Sequence, residues 1–231
     1  TGDAQATKMV EIQPMKMAAA EALYETAAPA PFSIFTIGTL DGSEPIFSID
    51  IPHGLSLLAT HSWDGEVQGI NNLQEQYEQE FGPGNYKPNI PAAYWNFRLM
   101  IGFGALGALI AVYMLWATRK GRIPESKWFP RLAMIGIITP LLGASTGWIF
   151  TEMGRQPWVV FSLMLTQNGV SPTVSVTQVL ISMTVFTLLY GVLAVVEVGL
   201  LMRAVKIGPP DSVESNYPDK VGEDRPLTVT Y

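Results

Sequence analysis

The stretch Leu99-Met-Ile-Gly-Phe-Gly-Ala-Leu-Gly-Ala-Leu-Ile-Ala-Val-Tyr-Met-Leu-Trp-Ala-Thr118 contains no charged residue. At a helical rise of 1.5 Å per residue, about 20 such residues match the roughly 30 Å hydrocarbon core of a bilayer. Residues 132–150 are likewise free of charge, and so are residues 179–196, which Glu197 follows at once. These windows predict three membrane-spanning helices, over about 95–118, 132–153 and 174–202. Gly102, Gly104, Gly107 and Ala108 give the first span a small-residue face that a second helix can approach closely. Pro140 lies inside the second span, where a neighbouring group has to satisfy the carbonyl that the proline leaves without a donor.

Working outward from the spans, the remaining charge sorts by segment. Residues 1–94 hold twelve acids against three bases, Lys8, Lys16 and Lys87. The short connection between the first two spans carries Arg119, Lys120, Arg122, Lys127 and Arg131 against Glu125 alone, and Arg203 and Lys206 flank the third span. The positive-inside rule places those basic segments in the cytoplasm and leaves residues 1–94 and the 152–173 loop outside. Tyr94, Trp95, Trp128, Trp148 and Trp158 fall near span ends, as an aromatic belt does. With a net charge of −6, the chain offers no basic patch for nucleic acid. It has no cysteine, which excludes thiolate-held clusters and cysteine zinc sites. No leader peptide is visible after Thr1, and the missing initiator Met suggests a fragment or a processed product.

Within the external region, residues 14–25 read as a short helix rich in Ala and Met. Residues 32–37 and 46–51 alternate like two strands about an Asp41-Gly42 turn, and residues 66–81 read as a polar helix stopped by Gly82-Pro83-Gly84. The acidic, proline-containing segment at 204–231 reads as a disordered cytoplasmic tail.

Three places could carry chemistry. Arg98 and Met100 sit at the mouth of the first span; such an arginine ordinarily reaches for headgroups and such a methionine ordinarily packs. The functional alternative is a thioether donated to a haem iron. Because i and i+2 lie about 200° apart on a helix, the two side chains cannot share a face. Glu152 and Arg155, three apart, can pair, either as an interfacial salt bridge or as a ligand and proton-handling site, since a carboxylate at a membrane boundary is costly. Lys16 and Glu21 lie about 140° apart on a helix and form no tight pair. They serve either as a solvated face or as groups that meet a quinol arriving from the membrane. His53 and His61 fall outside every span and read as surface or packing residues. Glu197 pairs with Arg203 or reaches for the interface. Nucleotide-loop, metalloprotease and serine-hydrolase patterns are missing.

Lys16-Met-Ala-Ala-Ala-Glu-Ala-Leu-Tyr-Glu-Thr26, Trp95-Asn-Phe-Arg-Leu-Met100 and Glu152-Met-Gly-Arg-Gln-Pro-Trp158, in this order, resemble the large subunit of cytochrome bd ubiquinol oxidase. The resemblance covers about residues 3–208 and implies an all-helical membrane protein. It makes this chain the external quinol-binding loop, residues 1–94, followed by the last three helices of a nine-helix bundle in the bacterial inner membrane. It implies electron transfer from ubiquinol or menaquinol through a low-spin haem b to a high-spin haem b and haem d. Dioxygen becomes water there, and a membrane potential forms without pumping. By the same resemblance Met100 is the axial ligand of the low-spin haem b and Arg98 tunes that haem. Glu152 is a ligand to one iron of the high-spin pair, Arg155 lies near a haem propionate, and Lys16 and Glu21 form the quinol site. A second all-helical subunit, small accessory subunits and the N-terminal half of the same subunit, which holds the histidine ligands, are the implied partners. The competing classes are a transporter and a passive anchor subunit, neither of which would show haem bands.

Overall fold

The computed structural model of the chain describes residues 2–39, 44–122 and 124–208. It is mainly helical, in the order α1 (Gly2–Ile12), α2 (Pro14–Glu21), β1 (Phe32–Gly38), β2 (Pro45–Ile51), α3 (Gly54–Thr60), α4 (Ile70–Phe81), α5 (Ile90–Thr118), α6 (Trp128–Gly154), β3 (Trp158–Val160), β4 (Met164–Leu165) and α7 (Val176–Ile207). Contacts group the described residues into two units, one up to Val170 and one from Ser171.

The three long helices follow the uncharged windows. At 29, 27 and 32 residues, α5, α6 and α7 each exceed the ~20 needed to cross a bilayer. Helix α5 begins five residues before the expected Trp95. The Asn89 side chain accepts a hydrogen bond from the Ala92 N–H and Pro91 occupies the first turn, two devices that start a helix. In the second unit α7 opens on a capping box between Ser175 and Gln178, buries none of its residues, and runs five residues beyond the expected end at Met202. The expected Asp41-Gly42 turn and residues 209–231 of the expected tail lie outside the described residues.

Helices α5 and α6 run antiparallel, and glycine sets their spacing. Gly136, Gly143, Gly147 and Gly154 recur at intervals of seven, four and seven, on one face of α6. A Cβ at Gly136 would meet Ile110 at 3.0 Å, one at Gly143 would touch the Met100 carbonyl at 3.7 Å, and one at Gly147 would lie 2.8 Å from the Met100 sulfur. The small-residue face is therefore mostly on α6, not on α5. Gly102 and Gly104 have open space where a Cβ would stand, and of the expected α5 glycines Gly107 alone is crowded, 2.7 Å from the Thr139 hydroxyl. That hydroxyl has a task. Pro140 lacks the N–H that would bond the Gly136 carbonyl, and Thr139 Oγ1 donates to that oxygen at 3.1 Å. The proline stays inside a continuous helix because its neighbour replaces the lost donor.

The region before α5 adds elements that residue pattern did not show. Helix α1 is mainly polar and has no apolar period strong enough to announce itself, and α3 is one short apolar segment after β2. Helix α2 stops at Glu21, four residues early, because Ala22 turns left-handed with φ 50° and the Leu23 N–H bonds back to the Ala18 carbonyl. Residues 66–69 are extended, with Val67 bridged to Ala27, and α4 starts only at Ile70. Gly69 is obligatory there, since a Cβ would run into the Glu25 backbone. Strands β1 and β2 form an antiparallel hairpin near the predicted positions. Two belt candidates are core residues. Tyr94 is buried and bonds Ser33 Oγ at 2.9 Å, while Trp158 is packed against Phe81, Tyr86 and Phe161. Trp95, Trp128 and Trp148 remain exposed.

Candidate functional site

Helix α2 crosses the end of the α5–α6 pair and presents Lys16 to one helix and Glu21 to the other. The three buried alanines Ala18, Ala19 and Ala20 let it approach so closely. Lys16 and Glu21 are therefore separate groups with separate partners, as their angular spacing predicts.

Glu21 is paired with Arg98. The guanidinium grips the carboxylate with Nη2 at 2.5 Å and Nη1 at 3.3 Å. Their side chains are 2% and 11% exposed, which makes this a buried bidentate pair. Arg98 is also stacked among rings, with its guanidinium carbon 4.7 Å from the centre of Phe32, 4.9 Å from Tyr94 and 5.4 Å from Phe97. Burial pushes the Glu21 carboxyl above its ordinary value, against the downward pull of Arg98 and of the Ser33 backbone. Arg98 thus spends both terminal nitrogens on Glu21, and its Nε is a buried donor with no partner among the described residues.

Met100 faces the opposite way, as i and i+2 require. Its thioether lies in the space that Gly147 leaves and lines a cleft of about 570 Å³ with Phe97, Phe150, Lys16 and residues of α1. Lys16 is laid across α6: its stem rests on Gly154, Nζ donates to the Thr151 carbonyl at 3.4 Å and stands 5.0 Å from the Phe150 ring centre. Burial first, then the charge of Arg155, lowers its pKa, and Glu152 opposes that shift.

Glu152 and Arg155 pair at 2.5 Å across one turn of α6, with side chains 36% and 40% exposed. Beside them a smaller cleft of about 220 Å³ is lined by Lys16, Arg155, Gln156, Trp158 and Tyr86. Arg155 Nε and Trp158 Nε1 are buried donors without partners among the described residues. His53 stacks on Trp63 and shares a hydrogen bond with its carbonyl, outside any span as expected. Among the described residues no three His, Cys, Asp or Glu side chains cluster to hold a metal.

The donors present nevertheless suit haem groups from one side. Gly147 reserves the space that the Met100 sulfur fills, in an apolar cleft that suits a soft ligand. Two orphaned N–H donors beside a lysine suit an anionic substituent. Residue pattern missed Gly147, although the seven-four-seven glycine spacing was there to read. It also missed Phe32 and Tyr94, which stack on Arg98, and Ser33, which bonds Tyr94; none carries a local signal of doing so.

Fold and site together define a helical membrane protein whose N-terminal segment is clamped by an ion pair onto the end of its first span. Residues 1–209 match the family cytochrome bd terminal oxidase subunit I, and the chain belongs to that family. The cytochrome bd ubiquinol oxidase subunit 1 of Bacillus subtilis (strain 168) is 39% identical over 209 residues, 90% of this chain and 45% of the relative. The cytochrome bd-II ubiquinol oxidase subunit 1 of Escherichia coli (strain K12) is 27% identical over 274 residues, 94% of this chain and 53% of the relative. In the structure of bd oxidase from Geobacillus thermodenitrificans, one chain superposes with a TM-score of 0.69 at 28% identity, over 90% of this chain and 45% of that one. The chain spans about half the length of the curated relatives it matches.

Proposed function

We propose that this chain works in a terminal oxidase that oxidises ubiquinol or menaquinol at the outer membrane face and reduces dioxygen to water. The reading rests on one observation above all: the Glu21–Arg98 clamp holds α2 on the same end of α5 that carries the Met100 thioether on its other face. An electron donor dissolved in lipid would meet ionisable groups and a route inward at the same place.

In this reading Glu21 and Lys16 take the protons of the quinol. A carboxyl raised by burial and an amine lowered by burial both move toward the working pH, where a general base is most effective. Met100 would hold the low-spin haem b and Glu152 one haem of the high-spin pair, high-spin haem b or haem d. Arg155 and Trp158 would bind an anionic propionate. Those groups, when bound, supply one-electron transfer and dioxygen reduction. Proton release outside and uptake from inside would build a membrane potential without pumping. The N-terminal half of the subunit, a second all-helical subunit and small accessory subunits would complete the complex. Residues 1–94 would lie outside and the tail in the cytoplasm of a bacterial inner-membrane protein.

Met100→Leu tests the reading in the purified complex. It is expected to abolish the low-spin band of the reduced-minus-oxidised spectrum and quinol-driven oxygen uptake; survival of both would overturn the assignment.

A further inference from the structure

The β1–β2 hairpin is amphipathic in the sense opposite to that of a hairpin in water. Its register sets Ser33 opposite Asp50 and Thr36 opposite Ser48, and sets Phe32 opposite Ile51, Phe35 opposite Ile49 and Ile37 opposite Phe47. Directly opposed residues share a face, so one face carries Ser and Thr with Asp50, and the other is apolar. The bulge between Ser33 and Phe35 shifts β1 into this alternation. The Ser48–Asp50 hydrogen bond of 2.7 Å and the Phe35–Phe47 ring contact at 6.4 Å fit that division.

A half-buried hairpin in water turns its apolar face to the core. Here Ser33 and Thr36 are the buried ones, bonded to each other at 2.6 Å and, through Ser33, to Tyr94. Phe47 and Ile49 are 52% and 50% exposed, and Phe35, Ile37 and Ile51 are exposed with them. An outward apolar face of this size needs an apolar medium.

Two contacts say which medium. Phe35 meets the ring of Trp95 edge-on at 5.3 Å, and Phe32 covers Arg98, the last residue before the uncharged window of α5. Trp95, Leu99 and Leu106 form one exposed stripe along that helix, because intervals of four and eleven return to the same face. The apolar face of the hairpin thus continues an exposed apolar stripe of a spanning helix. Depth is limited by the backbone. Among the described residues β2 pairs only with β1, so its outer N–H and C=O groups need water or headgroups and exclude the hydrocarbon centre.

We propose that this hairpin is seated in the bilayer at the headgroup–acyl boundary, in the leaflet at the Arg98 end of α5. Phe35, Phe47 and Ile49 lie among the acyl chains, and Ser48 and Asp50 lie in the water layer. It is the strand counterpart of an interfacial amphipathic helix. The seat rests on the membrane spans and is independent of the haem and quinol reading.

The test places single spin labels in the whole complex in lipid nanodiscs, through Phe47→Cys, Ile49→Cys, Ser48→Cys and, as reference, Leu99→Cys. Power-saturation resonance with oxygen and with a nickel chelate is the readout. Labels at 47 and 49 are expected to favour oxygen several-fold, as at 99, and the label at 48 to favour the chelate. Chelate preference at 47 and 49 would put the face in water and overturn the proposal. Access to neither reagent would put it beneath another protein segment or subunit, and overturn it equally. If a labelled variant fails to assemble, the unaltered complex is irradiated with phospholipid bearing an acyl-chain diazirine. Adducts within residues 32–51 are expected, and their absence there would refute the seat.

Discussion

The Glu21–Arg98 and Glu152–Arg155 pairs have the same chemistry and the same 2.5 Å closest approach, yet they are different objects. The first joins residues 77 apart and is nearly withdrawn from solvent; the second joins residues three apart and is more than a third exposed. Buried charges attract strongly because the medium screens little, but each has given up its hydration, so neither tolerates loss of the other. Exposed charges lose little hydration and gain little. The buried pair is a structural clamp that also carries a titratable group, whereas the exposed pair is free to exchange partners.

The sharpest way to break this contrast is Glu21→Ala. It strands the Arg98 charge among Phe32, Tyr94 and Phe97, and a cost of about 3–5 kcal/mol is expected. Thermal unfolding of the complex in nanodiscs measures it; a loss no larger than that of Glu152→Ala would erase the distinction. Arg98→Lys keeps the charge but gives up the two-pronged grip and the ring stacking, and should cost about 2 kcal/mol in the same measurement. Glu152→Gln should cost at most about 1 kcal/mol, with a difference from wild type that shrinks as salt rises, while removing the high-spin haem signal if the proposed function holds. A loss of several kcal/mol that is indifferent to salt would contradict the exposed geometry.

A fourth experiment sharpens the role of Glu21 through pH. Its carboxyl is raised in the folded chain, so between its ordinary pKa and the raised one the native state binds more protons than the unfolded state. The Glu21 contribution is therefore fullest below the ordinary carboxyl range and is lost as pH rises through the folded value. Glu21→Gln, uncharged throughout, should flatten that part of the stability–pH profile; an unaltered slope would mean that burial does not control the group. The smallest shift expected is in redox potential. If the proposed function holds, Arg98 is compensated by Glu21 beside the low-spin haem, so Glu21→Gln should raise that potential and Arg98→Ala should lower it. Equal signs in a redox titration would disconnect the pair from the haem.

The exposed pair was readable in Glu152-x-x-Arg155, since three residues nearly complete one helical turn. The clamp was not. Glu21 and Arg98 are each ordinary in their own segments, and nothing local in residues 14–21 says that α2 will lie across the end of α5. Gly147 falls between these cases. Its spacing was visible, but its purpose, a seat for the Met100 sulfur, required the antiparallel register of α5 and α6.

Length and charge patterning by themselves determined the three spans, their order and the opposite facing of Arg98 and Met100. These follow from fixed helical rise and rotation and from the cost of charge in hydrocarbon. Tertiary structure alone decided that Glu21 belongs to Arg98 and Lys16 to α6, that Thr139 replaces the donor missing at Pro140, and that Trp158 is core. It alone decided that the hairpin shows its apolar face outward. Each of these depends on which distant surfaces meet, and a period of 3.6 or 2 fixes the face a residue occupies but not what is pressed against it.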